Sequence, residues 1–300
     1  MELFLNLCVS GLTKGSVYAL IALGYTMVYG IIALINFAHG EIYMIGAFTS
    51  LIFSMALGAL GLSGWGLLFA VGFFAVAYCA MYGWTVEKIA YRPLRGQSRL
   101  APLISAIGMS IFLQNYVQLV QTPNFLPFPD LIPDLGLKGG VSRYASQTQL
   151  AIVAATAVCM VALTLFIKKT RLGMAMRAVS QDPVMARLSG VNIDRVISAT
   201  FVIGSMLAAV GGLLIGNYAH QTDFFTGFLA GMKAFTAAVL GGIGSIPGAV
   251  AGALILGFSE SLAAGYISSD YEDVVAFVLL IAILTLRPEG IMGSATAQKV

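Results

Sequence analysis

Residues 227–266 read GFLAGMKAFTAAVLGGIGSIPGAVAGALILGFSESLAAGY, a nearly unbroken apolar run of about 40 residues. A helix that crosses a bilayer needs only about 20 such residues. The run is too long for one crossing, and Gly241-Gly242-Ile243-Gly244-Ser245-Ile246-Pro247-Gly248 interrupts it near its middle. Gly241, Gly242, Gly244 and Pro247 break the helix, so two short helices or a re-entrant hairpin are expected here. Non-helical backbone survives inside hydrocarbon only where protein buries it or a watery cavity receives it. Such a break belongs inside a bundle.

The rest of the chain agrees. Of 300 residues, 59% are hydrophobic and 10% charged, with a mean hydropathy of +0.91. Soluble domains carry about 25% charged residues. Eight apolar blocks follow one another, at Leu12–Ile35, Ile42–Leu60, Trp65–Val86, Ala101–Val120, Gln149–Ile167, Val196–Asn217, Gly227–Tyr266 and Val274–Leu286. Each is apolar all round, whereas a membrane barrel would alternate polarity in segments of about ten residues. The expected fold is an all-α integral membrane protein, a polytopic helical bundle forming one domain over residues 1–300, its seventh block split or re-entrant.

Charge placement sets the expected orientation, because cytoplasmic loops gather Lys and Arg. Lys88, Arg92, Arg95 and Arg99 form one cluster, and Lys168, Lys169, Arg171, Arg177, Arg187 and Arg195 a second; Arg287 and Lys299 follow the last block. Asp130, Asp134, Asp270, Glu272 and Asp273 mark the other side. Arg195 and Arg287 then share a side, which requires an even number of crossings between them, and splitting the seventh block supplies it. The C-terminus is expected to be cytoplasmic and the N-terminus outside, without a cleaved leader.

A net charge of +3 argues against nucleic-acid binding. Cys8, Cys79 and Cys159 lie singly in apolar runs, which supports neither a disulfide framework nor a zinc site. No GxxxxGK[ST], GxSxG or HExxH occurs, and Gly242-Ile243-Gly244 completes no dinucleotide fingerprint. No metal, cofactor or catalytic residue is expected. Any ATP must be held by another subunit.

Polar residues within spans are functional candidates, since charge in hydrocarbon costs several kcal/mol. Asn36, His39 and Glu41 lie together at a second break, Ile35–Glu41. Gln114, Asn115 and Gln118 share one helix, and Glu260 sits in the seventh block. They suit a path for a zwitterionic substrate or hydrogen bonding that holds helices together; for Gln114 and its neighbours holding helices is favoured. Gly212 with Gly216, and Gly248 with Gly252, have the GxxxG spacing of close helix contacts.

The segment 168–195 is polar and basic. Ser180 or Asp182 suits a helix N-cap, Pro183 its first turn and Gly190 its end. That short helix could dock into a partner or lie on the membrane surface.

Five stretches resemble a known family: Tyr18–Asn36 (YALIALGYTMVYGIIALIN), Phe37–Gly46 (FAHGEIYMIG), Ala90–Leu94 (AYRPL), Ile104–Tyr116 (ISAIGMSIFLQNY) and Gly231–Gly248 (GMKAFTAAVLGGIGSIPG). With them the chain closely resembles the LivH-type permease subunits of bacterial high-affinity branched-chain amino acid ABC importers. The resemblance implies a multi-pass protein of the bacterial cytoplasmic (inner) membrane that pairs with a second, LivM-like permease. It also implies two cytoplasmic ATPases beneath and a periplasmic amino acid-binding protein that delivers Leu, Ile or Val. The Asp182–Gly190 helix resembles the ATPase-coupling helix, with Ala186 and Gly190 at matching positions and Arg187 beside them. The Glu-Ala-Ala opening of that motif is absent. The translocation-pathway candidates are Asn36, His39, Glu41, Gln114 and Asn115. An ion-coupled secondary amino acid transporter and a membrane scaffold are the rival readings.

Overall fold

A computed structural model describes residues 2–98, 100–133 and 145–293. Arg99, Asp134 and Lys299, used above to place loops, lie outside the described residues. The helices are α1 (Glu2–Ile32), α2 (His39–Ala59), α3 (Gly64–Val86), α4 (Leu100–Val120), α5 (Gln147–Lys169), α6 (Arg171–Gln181), α7 (Pro183–Leu188), α8 (Ile193–Ala219), α9 (Thr226–Gly241), α10 (Ile246–Tyr266) and α11 (Glu272–Leu286). A π-helical turn, Glu87–Tyr91, continues α3. The one strand pairing among the described residues joins β1 (Leu126–Pro127) to β2 (Gln221–Thr222), antiparallel.

Seven helices are long and apolar enough to cross a membrane: α1, α2, α3 with its extension to Leu94, α4, α5, α8 and α10. The 40-residue block resolves into α9 and α10, two helices joined by a tight turn. α9 has 16 residues, about 24 Å at 1.5 Å per residue, short of a hydrocarbon core of about 30 Å. The turn uses the glycines expected to break the helix. Gly242 and Gly244 adopt φ of 101° and 97°, a region that a Cβ disfavours. Ser245 Oγ then caps α10 by accepting from Gly248 N at 3.2 Å, and Pro247 sits in its first turn. Ile291 N and Met292 N, past the end of α11, donate to Leu240 O and Gly241 O at 2.9 Å and close the turn over.

Several helices begin earlier than hydropathy indicated, α1, α2, α8 and α11 among them. α8 starts at Ile193, where Asn192 Oδ1 accepts from Arg195 N at 3.0 Å. α11 starts at Glu272, whose carboxylate and that of Asp273 suit a helix N-terminus. α1 runs back to Glu2, and its exposed Leu3, Phe4 and Leu5 extend the apolar surface.

Burial separates a centre from a shell. In their most apolar windows α1, α8 and α2 are 72, 67 and 61% buried, whereas α3, α4 and α5 are only 17–22% buried. The central helices meet through bare glycine backbone. A Cβ on Gly212 would overlap Tyr43 O, and one on Gly252 would overlap Ala237 O, so both GxxxG spacings mark real contacts. Tyr91 reaches Asn36, Arg95 reaches Asp194, and Gly30 faces Gly244. These contacts bring both basic segments, the α9–α10 turn and residues 287–293 to one end of the bundle. The start of α1 lies at the other end, where Leu7 covers Gly265.

Candidate functional site

The first break is short. α1 ends at Ile32 and α2 begins at His39, with Ala33 at a φ of 51°. A Cβ on Gly24 would overlap the His39 ring, so His39 lies level with Gly24 rather than with the end of α1. Eight residues of helix span about 12 Å. The chain therefore leaves α1, doubles back over Ala33–Ala38, and starts α2 well inside the bundle.

The break therefore lies at Ala33–Ala38 rather than at the expected Ile35–Glu41: Asn36 is in it, His39 and Glu41 belong to the first turn of α2, and the three point in three directions. Asn36 is buried, and its Oδ1 accepts from Tyr91 OH at 2.9 Å in the π-helical turn. Losing this bond strands a buried group, which costs about 1–3 kcal/mol. Asn36→Ala and Tyr91→Phe are accordingly expected to lower the detergent melting temperature by a similar amount, read by fluorescence-detected thermal unfolding. His39 packs edge-on against Tyr25, centroids 4.9 Å apart, between the backbones of Gly24 and Gly204. Glu41 turns the other way. Its Oε1 accepts from Ser110 Oγ of α4 at 2.9 Å, and its Oε2 abuts Gly227 of α9 without a partner.

Ser110 and Gly227 both line a cavity of about 370 Å³ between α1, α4 and the start of α9. Its walls are Tyr25, Phe37, Met232 and the glycine backbones of Gly227 and Gly231; Ile107, Ile111, Phe225 and Phe228 rim its open side. Gln114 also lines it. Asn115, one residue on, is exposed and donates to Ile111 O of its own helix at 2.8 Å. Of the sequence candidates Gln114 lines this cavity and Glu41 lies behind the wall that Ser110 and Gly227 form, whereas Asn36 and His39 are seated elsewhere in the core and Asn115 turns outward. α4 buries Ala106, Leu113 and Val117 against the core and is bonded by Ser110 to Glu41 and by Ser105 Oγ to Ala90 O at 2.8 Å.

A second polar cluster escaped the sequence reading apart from Glu260. Lys233 of α9 lies 2.6 Å from Asp273 Oδ1 and 3.3 Å from Glu260 Oε1. The latter is an ionic contact without hydrogen-bond alignment. Tyr18 OH donates to Glu260 Oε2 at 2.8 Å, and Lys14 Nζ donates to both oxygens of Glu272 at 2.7 Å. Lys233 was findable: a lone cation inside an apolar helix is a functional candidate by default.

At the basic end, Asp182 Oδ1 caps α7 by accepting from Val184 N and Met185 N at 2.9 and 3.0 Å. Pro183 occupies the first turn. Gly190 follows the helix at a φ of 84° in open space. Ser180, the alternative cap, instead donates to Arg177 O at 2.8 Å. Ala186 is buried and seats the helix, while Arg187 is exposed. Val184, Met185 and Leu188 present 61–78% of their surface.

The comparisons agree with one another. Residues 7–284 match the family model for the branched-chain amino acid transport system / permease component. The high-affinity branched-chain amino acid transport system permease protein LivH of Escherichia coli K12 is 51% identical over 302 residues, covering 99% of this chain and 98% of that protein. The permease protein BraD of Pseudomonas aeruginosa is 50% identical with the same coverage. The LivM permease of Escherichia coli K12 is 26% identical over 311 residues, covering 95% of this chain and 70% of that protein. No solved structure matches the chain. A half-identical match along both full lengths, on a bundle of seven long apolar helices, places the chain in its family: it belongs to the permease components of branched-chain amino acid transport systems.

Proposed function

We propose that this chain is the membrane-spanning permease subunit of an ATP-driven importer that carries Leu, Ile or Val across a bacterial cytoplasmic membrane. The observation that carries the reading is the 51% identity to LivH along both full lengths. In this reading a second, LivM-like permease stands beside the chain, two cytoplasmic ATPases lie beneath it, and a periplasmic binding protein delivers substrate. The basic clusters and residues 287–293 then face the cytoplasm, following the excess of Lys and Arg in cytoplasmic loops. With no phosphate-binding loop in its sequence, the chain contributes the path and takes its driving force from its partners.

The segment 168–195 is where that force enters. Its three exposed apolar side chains on α7 need cover, and a hydrophobic groove on an ATPase provides it. Closure of the ATPase pair pulls on α7, and α6 and α8, joined to it directly, carry the displacement into the spans. Leu188→Asp puts a charge in that groove without touching the core. Uptake of labelled leucine by cells lacking their own transporters is expected to fall at least tenfold, with the variant still in the membrane and its ATPase no longer co-purifying. Uptake by this chain alone, abolished by an ionophore and indifferent to ATPase loss, would instead establish a gradient-driven transporter.

A further inference from the structure

Glu41 is a buried carboxyl group that no cation among the described residues answers. It is 1% exposed, one oxygen taken by Ser110 and the other unpartnered. A carboxylate withdrawn from water costs several kcal/mol unless a cation or hydrogen bonds replace its hydration. Among the described residues no cation pairs with it. His39, two positions earlier, faces Gly24 and Gly204, and Lys233 is committed to Glu260 and Asp273.

The space beside this carboxylate is built. Gly227 has no side chain, and a Cβ there would come within 2.6 Å of Glu41 Oε2. The bare glycine lets the oxygen lie directly behind the cavity wall that Gly227 and Ser110 form. Gly231, one helical turn on, is equally bare beneath Tyr25 OH. The cavity, at about 370 Å³, falls within the range of small-molecule sites. Most of its wall is aliphatic or aromatic, and its polar groups are few: Ser110, Gln114 and the Tyr25 hydroxyl. A molecule that fits carries one cationic group and one compact apolar body.

We infer that the cavity between α1, α4 and the start of α9 is a station at which the permeating amino acid rests, and that its ammonium group sits at the Ser110–Gly227 wall, drawn by the Glu41 carboxylate behind it. The aliphatic side chain lies against Phe37 and Met232, and the Gln114 amide is placed to donate to the substrate carboxylate. The inference rests on the permease reading and deepens it. Because Ser110 ties Glu41 to α4, a cation at this wall is felt directly by that helix.

The test uses the whole importer, permease pair and ATPases together, in lipid nanodiscs, with tritiated leucine as probe and two competitors. Isoamylamine keeps the ammonium group and the branched chain; 4-methylpentanoate keeps the carboxylate and the branched chain. The wild type is expected to bind leucine saturably and to be competed by the amine far better than by the acid. Glu41→Gln, which preserves the shape and the Ser110 bond, is expected to weaken leucine binding and raise the KM of uptake at least tenfold, and to abolish the preference for the amine. Glu41→Asp is expected to restore part of that preference, which a purely structural role would not do. Leucine binding and amine preference at wild-type levels in Glu41→Gln overturn the assignment. Should that variant fail to assemble, Ile111→Trp decides: it fills the open side and leaves the charge in place. Loss of leucine binding then supports the station, and normal binding removes it. A wild-type importer that takes up no leucine with ATP refutes the permease reading itself; uptake by the wild type with indifferent variants refutes only the station.

Discussion

Replacing Lys233 with methionine is expected to destabilise the bundle by about 3–5 kcal/mol, the cost of removing one partner from a buried ion pair. Lys233 is 8% exposed and Glu260 is fully buried. The ammonium lies between Glu260 and Asp273 and above the ring of Tyr18. Four helices therefore converge on one cation: α1 through Tyr18, α9 through Lys233, α10 through Glu260 and α11 through Asp273. Without it Glu260 keeps the Tyr18 hydroxyl and only the more distant charge of Lys14. Asp273, about half exposed, can turn to water and loses little. The expected result is a large drop in detergent melting temperature and in the yield of monodisperse protein. Adding Glu260→Gln to Lys233→Met removes the stranded charge and is expected to recover much of the loss. A double-mutant cycle reads the coupling directly. Additive losses would show that the two side chains act independently and that the cluster does not hold α9 to α10.

Gly252→Val is expected to be at least as severe, for a different reason. A Cβ at Gly252 overlaps Ala237 O, lies 2.6 Å from Gly241 N and 3.0 Å from Gly241 Cα. All three are backbone atoms of α9, which cannot swing aside as a side chain would. Overpacking a core usually costs about 1–3 kcal/mol. Here relief requires α9 and α10 to part, which breaks the hairpin and opens the α9–α10 turn. No monodisperse species is expected by size exclusion of a fluorescent fusion. Gly108→Val serves as the control, because nothing lies within 4 Å of a Cβ there. It is expected to elute and melt like the wild type, within the roughly 0.5 kcal/mol usual for unconstrained surface changes. A folded Gly252→Val protein would mean that the hairpin tolerates separation.

The sequence and the structure divide the site unevenly. Forty apolar residues cannot be one span, and glycines at 242 and 244 can turn where other residues cannot, so the split seventh block was readable beforehand. Asn36, His39 and Glu41 were conspicuous for the same reason: they are polar in an apolar neighbourhood. Their partners were not readable. Helical residues advance about 100° each at 3.6 per turn. His39 and Glu41, two apart at the start of α2, therefore face nearly opposite ways, one to Gly24 and the other to Ser110. The same step separates Gln114 at the cavity from Asn115 on the outer surface. A helix that is apolar on every side carries no stripe to say which side faces inward.

Ser110 and Gly227 looked ordinary in sequence, and each gains meaning only from the carboxylate brought against it from another helix. Lys233 finds its counter-charges 27 and 40 positions away, at Glu260 and Asp273. What the sequence determined alone was the solvent, the helices and where they break, because a bilayer constrains length, backbone hydrogen bonding and loop charge residue by residue. What only the tertiary structure decided was which polar groups meet, because that depends on the rotation and approach of helices whose faces hydropathy cannot distinguish.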